Sequence, residues 1–139
     1  MNYLLDTYLV SELFRNTPNP GVAEWITSNS DENTFISCVT VGEIQKGISK
    51  LPESGLSKRL QLQLEKFMEI YGDRILPLSR EIFLQWGTLC AKSETRGVQL
   101  PILDSLIATT ALAHGMEVVT RNVNDLDRYG ARVVNPWVN

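Results

Sequence analysis

Histidine is almost missing from this chain: His114 stands alone, and the two cysteines, Cys38 and Cys90, lie far apart with no CxxC pair. That scarcity argues against a zinc site, which draws on clustered cysteine and histidine. Two isolated thiols also fit a reducing compartment better than a disulfide framework. Basic excess is lacking too. A formal net charge of −3 supplies no global positive field for nucleic acid, so any nucleic-acid chemistry would need a local site, a metal or a partner. No apolar run reaches the roughly 20 residues of a membrane-spanning helix. The stretch MNYLLDTYLVSEL carries Asp6 and Glu12 and has no basic leader, so we expect no secretory signal and a cytoplasmic location. No repeat, low-complexity segment or linker breaks the chain. Its 139 residues, 43% hydrophobic and 21% charged, suffice for a single domain over 1–139 with a real core.

Short apolar runs alternate with helical periodicity. NYLL, NTFISC, DRIL, EVVT and ARVVN read as strands. Between them, Leu9, Leu13 and Phe14 mark one helix, and Val22, Trp25 and Ile26 a second. Val41, Ile44, Ile48 and Leu51 mark a third, and Leu60, Leu64, Phe67 and Ile70 a fourth. A further helix runs from about Arg80 to Arg96 and stops at Gly97, and another ends at Gly115. Strands alternating with helices predict an α/β fold, with a central parallel sheet of about five strands and helices on both faces.

In such sheets, sites gather outside the carboxyl ends of the strands, and four polar residues fall there. Asp6 follows YLL, Glu43 follows FISC, Asn122 follows EVVT, and Asp104 opens the helix that precedes EVVT. Each also has a bland reading. Asp6 is a fitting helix cap; Thr40 and Glu43 spell the T-x-x-E of a capping box; Asn122 suits a turn. Pro101 suits a first helical position, which makes Asp104 a first-turn acid. Yet Leu103, Leu106, Ile107 and Ala111 read as a buried helical stripe, and Asp104 lies on the same side as Ile107 and Ala111, where an unpaired charge is costly. Three carboxylates at one sheet edge repel unless protonated or bridged by a cation. Oxygen donors without histidine or cysteine select Mg²⁺ or Mn²⁺, ions that serve phosphodiester hydrolysis. His114 reads as a helix cap, and Trp25, Trp86 and Trp137 as packing.

YLLDT, TVGEIQKGI, LPILDSLIATTALAHG and VVTRNVNDL followed by VVNPW, taken in that order over nearly the whole chain, resemble the PIN-domain ribonucleases, among them the bacterial VapC and FitB toxins. The resemblance implies a PIN-like fold and a Mg²⁺- or Mn²⁺-dependent endoribonuclease acting on RNA. It also implies a small antitoxin protein as partner, a homodimer, and DNA binding only through the antitoxin. Carried onto this chain, it makes Asp6 and Asp104 metal ligands and Glu43 a ligand directly or through water. Asn122 stands where the family often has aspartate, with Asp125 a nearby acid that could substitute. Thr7 and Thr120 would orient the carboxylates, and Arg121 would meet phosphate. Tyr8 departs from the asparagine frequent after DT. A catalytically silent PIN-like module that only binds a partner or DNA is the alternative, as is a 5′-nuclease or rRNA-processing nuclease.

Overall fold

The computed structural model describes residues 1–123 and 129–139. In chain order it contains β1 (Tyr3–Leu5), α1 (Thr7–Leu13), α2 (Pro20–Ser28), β2 (Thr34–Ser37), α3 (Cys38–Ser49), α4 (Gly55–Tyr71), β3 (Ile75–Leu76), α5 (Arg80–Thr95), α6 (Ile102–His114), β4 (Glu117–Val119) and β5 (Val133–Val134). The strands pair in parallel throughout, in the order β3-β2-β1-β4-β5. The α/β fold with a parallel five-stranded sheet follows the sequence pattern.

The strands are short, and Leu4, Leu5, Ile36, Val118 and Val119 of the three central ones are fully buried, so these strands read as short, largely apolar runs. Leu4 pairs with Phe35 and Val118, and Leu5 with Ile36 and Val119. Successive side chains then part to opposite faces. Leu4 and Val118 pack with Leu106, Ile107, Ala108 and Ala111 of α6. Leu5, Ile36 and Val119 pack with Leu9 and Val10 of α1, Ile44 and Ile48 of α3, and Leu64 of α4. Each such leucine contributes about 1.5–3 kcal/mol by leaving water. A Leu4→Ala or Leu5→Ala change would therefore open a cavity between the sheet and its helices.

Two helix stripes differ from the sequence expectation. On α4, Ile70 is 67% exposed, and Met68 and Tyr71 take the inward positions with Leu60, Leu64 and Phe67. On α6, Leu103 is 43% exposed and Ile102 62%, so the buried stripe of that helix begins only at Ser105. Pro101 is the residue before the helix, with φ −57° and ψ 131°, so helical geometry begins one position later, at Ile102. At its other end α6 stops at Gly115 in the left-handed conformation, φ 65°, as the glycine implied. No helix among the described residues is long and apolar enough to cross a membrane.

From β1 the chain builds outward through β2 to β3, then returns across the sheet to place β4 on the other side of β1. The order therefore reverses at β1, and a crevice opens where the carboxyl ends of β1 and β4 meet the helices of both faces.

Candidate active site

Asp6 is the first residue beyond β1. Its backbone N–H still donates to the Val119 carbonyl at 3.1 Å, and the chain then turns into α1. Asp6 caps that helix: Oδ1 accepts from the Leu9 N–H at 2.9 Å, and Oδ2 accepts from the Thr120 hydroxyl. The cap reading is thus correct, but this cap is only 4% exposed. Burial pushes its pKa from 3.8 up to about 6, the charges of Asp104 and Glu43 adding to the rise while the bonds from Thr120 and Leu9 oppose it.

Glu43 is not part of a capping box. Ser37 caps α3, its hydroxyl accepting from the Val39 N–H at 3.1 Å, and Thr40 lies inside the first turn. The T-x-x-E spacing instead puts Thr40 and Glu43 on the side of α3 that meets α1. There the Thr7 hydroxyl donates to Glu43 Oε1 at 2.6 Å and stands 3.1 Å from the Thr40 hydroxyl. Asp104, half-buried in the first turn of α6, faces the crevice instead of the apolar interior that its neighbours suggested. Beyond β4, Thr120 holds the turn by accepting from the Asn122 backbone N–H at 2.9 Å.

These elements enclose a cavity of about 250 Å³ whose walls include Asp6, Thr7, Glu43, Asp104 and Asn122. The four principal positions singled out in the sequence therefore meet in one place, and Thr7 with them. Thr120 stands behind Asp6. Arg121 is exposed, its guanidinium carbon 6.0 Å from the centre of the Trp137 ring, and it is not part of the cavity wall. Asp125 lies outside the described residues. The sequence reading missed Ser11, which joins the wall from the next turn of α1, although the i, i+4 spacing of Thr7 and Ser11 was an available signal; Tyr8, the departure from the family pattern, also lines the wall and is 58% exposed. Trp25 packs edge-on against Tyr3, and the Trp86 indole N–H donates to Ser105 at 2.8 Å, which fits the packing role.

Oxygen dominates this cavity. Among the described residues no three acidic, histidine or cysteine side chains stand close enough together to enclose one ion by themselves. Glu43 is instead drawn toward Thr7. A pair of carboxylates with an amide oxygen, the rest of the shell left to water, matches a cation that keeps several waters, as Mg²⁺ does.

A twisted parallel sheet with acidic residues at the reversal of strand order defines a class, and the chain falls within it: residues 3–131 match the PIN domain model, and the protein belongs to the PIN-domain family. It is 34% identical to the plasmid stability protein StbB of Pseudomonas syringae pv. tomato, over 96% of this chain and 97% of that one. It is 31% identical to the VapC ribonuclease Y4jK of Sinorhizobium fredii, over 96% of each, and 30% identical to the toxin FitB of Neisseria gonorrhoeae, over 96% and 97%. A solved structure of FitAB bound to an IR36 DNA fragment superposes with a TM-score of 0.90 at 30% identity, covering 99% of this chain and 96% of that one.

Proposed function

We propose that this chain is a divalent-metal-dependent endoribonuclease, the toxin of a toxin–antitoxin pair, working in the cytoplasm. The observation that carries the reading is the convergence of Asp6, Glu43, Asp104 and Asn122 on one cavity, with Asp6 buried at a cost that a cation would relieve. The VapC ribonuclease name of one relative and the toxin name of another support it.

Asp6 and Asp104 would hold Mg²⁺ or Mn²⁺ directly, with Asn122 offering an amide oxygen and Glu43 acting directly or through water. When bound, such an ion supplies neutralisation of phosphate charge and acidification of water. The protein does the rest. Thr120 and the Leu9 N–H fix the two oxygens of Asp6. Thr7 engages Oε1 of Glu43, leaving Oε2 to orient the attacking water and receive its proton. Arg121, just outside the cavity, meets a flanking phosphate of the RNA. Replacing the fourth acid by Asn122 removes one negative charge, so one tightly held ion is expected, with a second arriving alongside RNA.

Inhibition follows from shape. A second, apolar groove of about 350 Å³ runs beside the cavity between α1, α3 and α4, lined by Phe14, Ile44, Gly47, Ile48 and Leu60, and it shares Ser11 and Glu43 with the cavity. A small antitoxin would lay an amphipathic segment in this groove and reach into the acidic cavity with an arginine or lysine. DNA binding belongs to that antitoxin, in keeping with the acidic balance of this chain, which we expect to act as a homodimer.

The direct test is cleavage of RNA by purified protein with Mn²⁺ or Mg²⁺, in EDTA, and after the metal is restored. Cleavage that stops in EDTA and returns with metal supports the reading; folded protein inert under all three conditions overturns it.

A further inference from the structure

Behind Glu43 lies a residue that no catalytic account uses. Thr40 is fully buried, in the first turn of α3, with its hydroxyl 3.1 Å from that of Thr7. Either oxygen could donate by geometry alone, but a hydroxyl carries one proton. Thr7 spends its proton on Glu43 Oε1, the acceptor at 2.6 Å. The proton between the two threonines must therefore be that of Thr40. The chain of donors has one direction: Thr40 to Thr7 to Glu43.

We propose that Thr40 is a positioning residue for Glu43, acting through Thr7. This inference rests on the metal-nuclease reading of the cavity and adds to it a residue outside the cavity wall. Thr7 begins α1 immediately after Asp6, whereas Thr40 and Glu43 share one face of α3. The Thr40 hydroxyl consequently fixes the torsion of Thr7, and Thr7 fixes Glu43 relative to Asp6 across the seam between the two helices. Polarisation adds to this, since a hydroxyl that accepts one hydrogen bond donates a stronger one. Without the Thr40 proton, Thr7 is free to turn its hydroxyl to another acceptor, and Glu43 loses its fixed place at the cavity. Groups that orient a ligand from behind are commonly worth 10–100-fold in metal affinity or activity.

Three variants separate this role from mere packing. Thr40→Val keeps the shape and removes the donor, Thr40→Ser keeps the donor and removes a methyl group, and Thr7→Val removes the relay. Mn²⁺ affinity is measured on the full chain without RNA by titration calorimetry, cleavage by single-turnover kinetics at saturating Mn²⁺, and folding by thermal melting. We expect Thr40→Val to bind Mn²⁺ about tenfold more weakly and to cleave more slowly at saturation, with Thr40→Ser close to wild type. Adding Thr40→Val to Thr7→Val should have little further effect, because the two act in series. Folded Thr40→Val with wild-type affinity and rate overturns the inference. So does Thr40→Ser failing like Thr40→Val, which would mean the methyl group matters, or full additivity of the two valine substitutions. Should Thr40→Val fail to fold, Thr40→Ser against Thr40→Ala decides by the same readouts. Wild-type protein that neither binds Mn²⁺ nor cleaves overturns the nuclease reading itself, an outcome distinct from all of these.

Discussion

Thr120, the residue after β4, donates its hydroxyl proton to Asp6, the residue after β1, across a separation of 114 positions. The same oxygen accepts from the Asn122 backbone N–H at 2.9 Å. Two adjacent parallel strands are thereby fastened at their carboxyl ends by a carboxylate, and both Thr120 and Asp6 are buried. The fastening orients an acid that the fold would otherwise prefer to keep neutral. Under the proposed function, activity and stability therefore oppose each other at this residue.

That opposition has a measurable pH signature. In the folded, metal-free protein Asp6 holds its proton up to about pH 6, against 3.8 for the ordinary group. Between these values the folded state binds more protons than the unfolded one, so stability falls as pH rises and the whole cost is present above about pH 6. At about 1.4 kcal/mol per pH unit, the loss is of order 3 kcal/mol. Asp6→Asn should remove this slope, since asparagine caps α1 as well as aspartate does and its amide can donate to Thr120. Thermal melts in EDTA between about pH 4 and pH 7 check this: the wild-type midpoint should fall and the Asp6→Asn midpoint should not. Excess Mn²⁺ should restore the wild type more at pH 7 than at pH 5, because binding must displace the Asp6 proton. Parallel curves for the two proteins in EDTA would contradict the assignment.

Asp104 acts on the same equilibrium from across the cavity, its charge raising the Asp6 pKa. Asp104→Asn should lower the folded-state pKa of Asp6, so the fall of the metal-free melting profile ends at a lower pH and is smaller overall. It should also cut Mn²⁺-dependent cleavage by at least 100-fold, the upper range for removing a group that organises a metal, while the far-ultraviolet circular dichroism stays unchanged. Undiminished cleavage would remove Asp104 from the metal site.

Asn122 offers the opposite experiment. Asn122→Asp restores a fourth negative charge to a wall that already carries Asp6, Glu43 and Asp104. The backbone bond from residue 122 to Thr120 does not depend on the side chain, so the turn should survive. Like charges then crowd the empty cavity. The variant should melt lower than wild type in EDTA at pH 7, bind Mn²⁺ about tenfold more tightly, a gain of about 1.4 kcal/mol, and need less metal for half-maximal cleavage. Weaker Mn²⁺ binding would show that Asn122 contributes through its amide and not as a diminished acid.

What could be read in the sequence was what periodicity and chain order encode. Leu4, Leu5, Ile36, Val118 and Val119 announced strands because central strands covered on both faces carry short apolar runs. The reversal of strand order then brought Asp6, Glu43, Asp104 and Asn122 together. Periodicity failed at Ile70 and Leu103, where the spacing was helical but the residues, in the last turn of α4 and the first turn of α6, are exposed. Glu43 shows a different limit. T-x-x-E describes a capping box and also any threonine one turn before a glutamate, and only the Ser37 cap shows which applies. The Thr40–Thr7–Glu43 chain was out of reach for a third reason: it depends on how closely α1 approaches α3, between residues 33 and 36 positions apart, and no local pattern records that.

The groove beside the cavity permits a test that leaves the chemistry alone. Gly47 lines the groove, and a Cβ placed on it would meet no atom within 4 Å, so a larger side chain enters open space. It also lies in the last turns of α3, where replacing glycine by a good helix former contributes about 1 kcal/mol. Gly47→Leu should therefore fold well and melt a few degrees higher. Leucine is uncharged and cannot hydrogen-bond to Glu43 one turn away, so Mn²⁺-dependent cleavage should stay near wild type. The added isobutyl group occupies the space in which an amphipathic segment of the antitoxin would seat an apolar anchor. Inhibition by the cognate antitoxin should then require at least tenfold more of it, corresponding to about 1.4 kcal/mol of lost binding. An antitoxin whose arginines are replaced by alanine should lose inhibition of the wild-type enzyme more than it loses binding, because the groove still holds its apolar face while the acidic cavity is left open. If Gly47→Leu is inhibited at the same antitoxin concentration as wild type, the segment lies elsewhere on the surface, and blockade of the RNA path from outside the cavity becomes the account of inhibition.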